Sequence, residues 1–248
     1  MTKKANIVLL SNVNTTQARI LSLERANQRK SETEKFLLVE LAGCPYCMDM
    51  SSALHDALKK ERIHPTKVKI HIDTLRDTTD ALSNLVGSII SFFPSFEADA
   101  ARLILALRRH SPNARFWGTD GWGTLARFVK ELPGAKTLRA SWVSHYHPEI
   151  QTAENKEFVA RFRSKYGTDP LDTSAMFFEA ASIAKSLLSK KPTTAKETMT
   201  AFSRMGQYRG LTGHVLIKGN RVERDMPFLE MVNGQVRLIK LARARKEL

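Results

Sequence analysis

The sequence predicts an α/β protein built on a doubly wound parallel sheet, and three observations carry that expectation. Apolar runs of strand length alternate with amphipathic stretches of helix length from residue 36 to residue 143, the pattern of a parallel sheet with helices on both faces. Two of the runs, "FLLVEL" (36–41) and "SIISFF" (88–93), are continuously apolar, as strands buried on both faces must be. After Pro148 the pattern changes, and helical segments follow one another before the chain closes in short strands.

Taken in order, "NIVLLSN" (6–12) reads as a strand, and "TTQARILSLERANQ" as a helix with Asn14 or Thr15 available as its cap. The polar "ERANQRKSETEK" connects to the strand 36–41, and the next helix, beginning near Asp49, places Met50, Leu54, Ala57 and Leu58 at helical spacing. "KVKIHI" (67–72) alternates as a strand, "TTDALSNLV" reads as a short helix, and 88–93 is again a strand. "EADAARLILALRRH" is a helix with Leu103, Ile104 and Leu107 on one face; its acids come first and its bases last, which suits the helix dipole. "ARFWG" and "TLRASWV" complete the strands. Beyond Pro148, "NKEFVARFRSKYG" is amphipathic and ends at Gly167. "TSAMFFEAASIAKSLL" is apolar almost all round and is expected to be buried, and "TAKETMTAFSRM" forms a third helix. In the closing strands "LTGHVLIKGNR" and "PFLEMVNGQVRLIK", Asn233-Gly234 between alternating segments signals a type I′ hairpin.

Composition narrows the function classes. The 248 residues carry 39 Lys and Arg against 25 Asp and Glu, a formal net charge of +14. That charge is scattered among "RRH" (108–110), "LARARKEL" at the C-terminus and paired lysines, with no basic stripe interleaved with aromatics and no zinc-finger or RNP-like motif. A nucleic-acid partner is therefore not expected. No apolar run approaches the roughly 18–20 residues of a membrane span. "NIVLL" is too short for a secretory apolar core, so the chain as given shows no export signal. With no Gly-rich phosphate loop, no HExxH and no serine in a recognisable triad context, an enzyme is not expected, nor a cofactor.

One motif argues otherwise. Cys44-Pro45-Tyr46-Cys47 follows a strand and opens a helix, the placement in which helix N–H groups activate a redox cysteine. A glutaredoxin-like site would also need a proline that starts a hairpin strand with a Gly-Gly turn. Pro94 is followed instead by the helical "SFEADAARLILALRRH", and the remaining residues to 248 would be unexplained. A thiol–disulfide oxidoreductase acting through Cys44 stands as the alternative reading, and a non-catalytic scaffold that binds a partner protein as a second.

The order of "ARFWGTDGWGT", "ASWVSHYHPEI", "NKEFVARFRSKYGTDPLDTSAMFFEAASIAKSLL", "GLTGHVLIKGNRV" and "FLEMVNGQVRLI" resembles that of the type 1 periplasmic solute-binding proteins of ABC transporters, the branched-chain amino acid receptor group. The resemblance covers the chain from about residue 6 to residue 240. It implies a periplasmic-binding-protein-like α/β lobe joined to an incomplete second lobe made mainly of helices. It also implies a small polar ligand such as an amino acid, an ABC transporter permease as partner, and a place in the periplasm or cell envelope.

Site residues follow from the resemblance one at a time. The family's cleft loop bears Tyr-Gly after a strand like "FLLVEL"; Tyr46 stands at the tyrosine position and Cys47 at the glycine position. Cys44 and Cys47 are then either bridged or small residues at a tight turn. Asp120 in "GTDGW" matches a carboxylate that binds a ligand ammonium, with an Asx turn as the other reading. Phe93 and Ser95 match an aromatic cleft segment, although Phe93 reads equally as core. Tyr146 in "VSHYHP" stands where the chain crosses between lobes, to close on ligand or to pack the hinge. His145 and His147 flank it without a third ligand, and no metal site is expected.

The resemblance further implies a first lobe of domain size, about 120 residues, ahead of the point where this chain starts. The expected divisions are 1–30 as a remnant of that lobe with its crossover helix, 31–148 as the α/β lobe, 149–208 as returning helices and 209–248 as strands rejoining the α/β lobe. On this view the chain is truncated or diverged, and its apolar helix is covered by a missing-lobe partner or a homodimer.

Overall fold

A computed structural model describes residues 7–28, 35–71, 89–93, 95–110, 112–129 and 135–243. The chain divides into two compact units, one formed by Asn14–Ser144 with Phe228–Lys240, the other by Met1–Val13, His145–Pro227 and Leu241–Leu248.

The first unit is the α/β layer. Its strands are β1 (Lys35–Ala42), β2 (Thr66–His71), β3 (Ile89–Phe93), β4 (Arg115–Gly118) and β5 (Arg139–Val143). They pair in parallel in the order β2-β1-β3-β4-β5. β9 (Met226–Val232) adds antiparallel to β5, and β10 (Gln235–Ala242) lies beyond it. Seven of the eight residues of β1 are buried, because both sheet faces are covered. Leu37, Val39 and Leu41 pack with Phe116, Trp142 and the apolar stripe Leu103, Ile104 and Leu107 of helix α3 (Glu97–His110). On the other face Phe36 and Trp117 meet the guanidinium of Arg25, which reaches them from α1 (Asn14–Asn27) at 5.4 and 5.9 Å from the two ring centroids.

Helix α2 (Pro45–Lys60) begins four residues earlier than expected, with Cys44 as its N-cap and Pro45 in its first turn. The N-cap fits a residue whose side chain accepts the Cys47 N–H, and proline's fixed φ suits the first helical position. At the β9–β10 turn Asn233 and Gly234 both have positive φ, 52° and 76°. That is the type I′ geometry the sequence signalled. The helix expected at "TTDALSNLV" lies outside the described residues.

The second unit holds α5 (Ala153–Tyr166), α6 (Asp172–Leu188) and α7 (Ala195–Arg204), together with an antiparallel sheet of β6 (Gln207–Gly210), β7 (Gly213–Lys218) and β8 (Arg221–Arg224). A short helix α4 (Leu125–Val129) belongs to the first unit. Ile183, Leu187 and Phe202 from the helices close on Val215, Ile217 and Val222 from the sheet. This unit is therefore a helix-on-sheet layer with its own core, and β6–β8 stand here rather than rejoining the α/β lobe. α1 likewise stands in the α/β unit rather than in a first-lobe remnant, because Ile20, Leu21 and Arg25 are buried there.

Two further expectations are corrected. "NIVLLSN" does not form a strand among its described residues: Leu9 makes a single parallel bridge to Arg221, and Ile7 is exposed. Helix α6 is not buried all round. Ala175, Glu179, Ile183 and Leu187 face inward at helical spacing, while Phe177 and Leu188 are 77 % and 66 % exposed.

A buried ion pair ties this second unit together. Arg224 and Glu179 are 2 % and 4 % exposed and bond directly. Glu179 also accepts the Leu211 N–H at 2.6 Å, while Arg224 donates to the Leu10 carbonyl at 2.7 Å and to the Tyr208 hydroxyl at 3.1 Å. Asn12 clamps the Arg224 backbone from both sides, accepting its N–H at 3.1 Å and donating to its carbonyl at 2.7 Å. Burial outweighs the neighbouring Arg224 cation and pushes the Tyr208 hydroxyl up to about 12. Glu179→Ala leaves the Arg224 charge buried without its counter-ion, a loss of about 3–5 kcal/mol. Urea unfolding is expected to show it as a lower midpoint; a midpoint within experimental error of the parent would contradict the role given to this pair.

Candidate functional site

In a parallel sheet of order 2-1-3-4-5 the chain leaves β1 toward β2 on one side and returns to β3 on the other. The crevice at the carboxyl ends of these strands is where open α/β sheets bind ligands. Three loops meet there. From β1 comes Gly43-Cys44-Pro45-Tyr46, from β3 come Ser95 and Phe96, and from β4 come Thr119, Asp120 and Gly121.

Tyr46 joins two of these loops. Its hydroxyl lies 2.7 Å from Thr119 Oγ1 and donates to Asp120 Oδ1 at 2.5 Å. Its ring stands 5.2 Å from that of Phe96, which is half exposed. Burial first, and then the adjacent Asp120 charge, raise the hydroxyl far above the ordinary tyrosine range. Both effects favour the neutral phenol, which donates to the carboxylate beside it. The disulfide between Cys44 and Cys47 brackets Tyr46 at the start of α2.

Asp120 opens a short 3-10 turn, Asp120–Trp122, and its N–H donates to the buried Gln17 side chain at 3.4 Å. Ser95 is fully buried and accepts from the Trp122 indole at 3.3 Å. Glu97 accepts from the N–H and the hydroxyl of Thr124, at 3.3 and 2.9 Å, and fixes the far side of the turn. Gly121 has no room for a side chain, since a Cβ would lie 2.5 Å from the Ser95 carbonyl oxygen and 3.5 Å from Tyr46 Cε1. The result is a partly exposed carboxylate framed by a phenol and an aromatic ring, on loops that buried hydrogen bonds hold in place. A carboxylate held in this way has the chemistry to pair with a cation without reorganising.

Tyr46, Ser95 and Asp120 are thus brought together. Phe93 is the last residue of β3, in register with Gly118. Tyr146 belongs to the other compact unit, where it is 3 % exposed with its ring edge-on to Phe158 at 6.1 Å. Burial raises its hydroxyl above the ordinary range as well. Sequence reasoning missed Gln17, Phe96, Thr119 and Gly121. Thr119 and Gly121 flank Asp120 in "GTDGW" and could have been read with it, whereas nothing in the helical pattern of α1 marks Gln17.

Gly121→Ala is expected to force the Ser95 and Asp120 loops apart, at a cost of about 1–3 kcal/mol. Thermal melting should show the loss; a melting temperature equal to the parent's would mean that the loops yield freely and are not preorganised.

A periplasmic binding protein family model matches residues 90–235, more than half of the chain. No curated protein matches it. Among solved structures it is similar to a leucine binding protein, LivK, from Thermotoga maritima, with a TM-score of 0.79 and 14 % identity over 95 % of this chain and 67 % of that one. It is also similar to the branched-chain amino acid transporter substrate binding protein LivJ from Streptococcus pneumoniae, solved with isoleucine, at a TM-score of 0.72 and 17 % identity over 90 % of this chain and 63 % of that one. A solute binding protein from R. palustris in complex with benzoate gives a TM-score of 0.70 and 14 % identity over 93 % and 64 %. The chain thus spans about two thirds of the length of the structures it matches. At these identities the likeness is one of fold, and the thiol–disulfide alternative finds no support in it. By the family model, the chain belongs to the periplasmic binding protein family.

Proposed function

We propose that this chain is a solute-binding component of an amino acid-type ABC transporter, working in the periplasm with a transporter permease. Its ligand is a small polar molecule carrying an amino group. One observation carries the reading: at the switch point of the sheet a neutral Tyr46 hydroxyl shares Asp120 and Thr119, which leaves a fixed carboxylate beside aromatic surface. Asp120 pairs with the ligand ammonium, Phe96 and Tyr46 cover its carbon frame, and Ser95 holds the loop between them. Phe93 and Tyr146 are further ligand-binding candidates by resemblance. The solved relatives with leucine-class, isoleucine and benzoate names or ligands support the small-solute class. No helix among the described residues is long and apolar enough to cross a membrane.

Asp120→Asn tests the reading, because it removes the charge and keeps an oxygen for Tyr46. Hydrogen bonds to charged groups contribute about 1.5–3 kcal/mol, so affinity for an aminated ligand should fall about tenfold to a hundredfold. Calorimetric titration against amino acids and against carboxylates without an amine separates the classes. Equal affinity in parent and variant for an aminated ligand would remove Asp120 from the site.

A second reading concerns partners. Phe177, Phe178 and Leu188 of α6 are exposed apolar side chains, the kind of surface that contiguous patches at interaction sites are made of. We propose that a polypeptide surface covers them, either a completing lobe or a second copy. Light scattering that gives twice the 28.0 kDa chain mass identifies the copy. A monomer that binds a hydrophobic dye, and loses the dye in Phe177→Glu, identifies an open face. A monomer that binds no dye contradicts the proposal.

A further inference from the structure

The second unit contains a groove to which none of the loops around Tyr46 and Asp120 contributes, and two helix faces wall it. Glu154, Glu157, Phe158 and Arg161 follow one another along one side of α5 at i, i+3, i+4 and i+7, and Phe178, Ser182 and Ser186 repeat every fourth residue along α6. Phe158 and Phe178 meet between the helices, with ring centroids 4.6 Å apart. Met205 after α7, Tyr208 of β6 and Leu211 in the turn beyond it complete the lining. The cavity volume is about 320 Å³, at the lower end of the range of small-molecule sites. The exposed Phe177 and Leu188 stand on another side of α6, about 80–100° around the helix from Phe178.

The walls of this groove are apolar and its charges are paired. Phe158, Ile183 and Leu211 are buried side chains that line it. Glu157 pairs with Arg161 at 3.5 Å, Glu154 with Arg209 at 3.0 Å, and Glu179 with the buried Arg224. Tyr208 keeps its proton, because burial pushes its hydroxyl up to about 12. An ion entering the groove would lose hydration and meet no unpaired counter-charge among the described lining residues.

One polar atom is left over. The Glu154 carboxylate gives Oε1 to Arg209, while its Oε2 is buried and has no hydrogen-bond partner among the described residues. A buried acceptor without a donor carries the cost of its lost hydration, and an O–H group brought by a ligand removes that cost. The Phe158 and Phe178 rings offer a second, aromatic contact. We propose that the groove between α5 and α6 binds a small neutral molecule of the alkylphenol class, its hydroxyl donating to Glu154 Oε2 and its apolar frame packed on Phe158, Phe178 and Ile183.

The probe is 4-ethylphenol, with its methyl ether, 4-ethylanisole, as the analogue that lacks the donor. Calorimetric titration of the intact chain is expected to give saturable one-site binding of the phenol, with the ether bound about tenfold more weakly. Glu154→Leu should bring the phenol down to the affinity of the ether. Ser182→Trp, which fills the groove from an exposed position, should abolish binding of both. Asp120→Asn and Phe177→Glu should bind the phenol as the parent does, which separates the groove from the crevice at the sheet and from the exposed side of α6. Four results would overturn the proposal: no saturable binding of the phenol, parent affinity in a folded Ser182→Trp, an ether bound as tightly as the phenol, or loss of the phenol in Asp120→Asn. Should Ser182→Trp fail to fold, the ether and Glu154→Leu still decide.

Discussion

The hydroxyl of Tyr46 is the interaction on which the candidate site depends. It joins the loop after β1 to the loop after β4 across the intervening β3, reaching Thr119 and Asp120 at once. Only a sheet that reverses its winding between β1 and β3 brings those loops to a common edge with a crevice between them. The parallel register sets where each strand ends, and the close approach of Gly121 to Ser95 sets how tightly the β3 and β4 loops meet. Because burial keeps the phenol neutral, it donates to Asp120 and fixes the carboxylate without cancelling its charge.

The cysteine pair gains its meaning from the same contact. Cys44 caps α2 and bonds to Cys47, with Tyr46 between them in the first helical turn. A staple at that point narrows the backbone freedom of the residue whose side chain spans the crevice. The motif that suggests redox chemistry in a sequence is, in this fold, part of the frame of the loop that carries Tyr46.

What the sequence disclosed was what local chemistry determines. The continuous apolar run of β1, the dipole-ordered charges of α3 and the Asn233-Gly234 turn each follow from neighbours in the chain, and each stands in the structure at its expected place. Tyr46 and Asp120 came forward as candidates through the resemblance of motif order to solute-binding proteins, and the structure sets their side chains in contact. Gln17 was not, because its contact with the Asp120 backbone spans 103 residues and leaves no trace in the α1 pattern. The pairing of Glu179 with Arg224 was hidden for the same reason. An acid in the middle of an apolar helix does not announce its partner 45 residues away. "NIVLL" misled because apolar strand composition there serves one bridge and the packing of Val8 and Leu10 on a neighbouring core. The apolar composition of α6 likewise predicted burial that this chain supplies to one face only.

The most direct test of the binding site is to follow backbone amides by NMR while amino acids and small carboxylates are added to the intact chain. The account predicts that an aminated ligand moves the resonances of Cys47, Thr119, Asp120 and Gly121 together, with one affinity, and leaves those at the start of β4 and β5 in place. Saturable shifts confined to other parts of the chain, or none across the whole panel, would contradict a solute site at the carboxyl edge of this sheet.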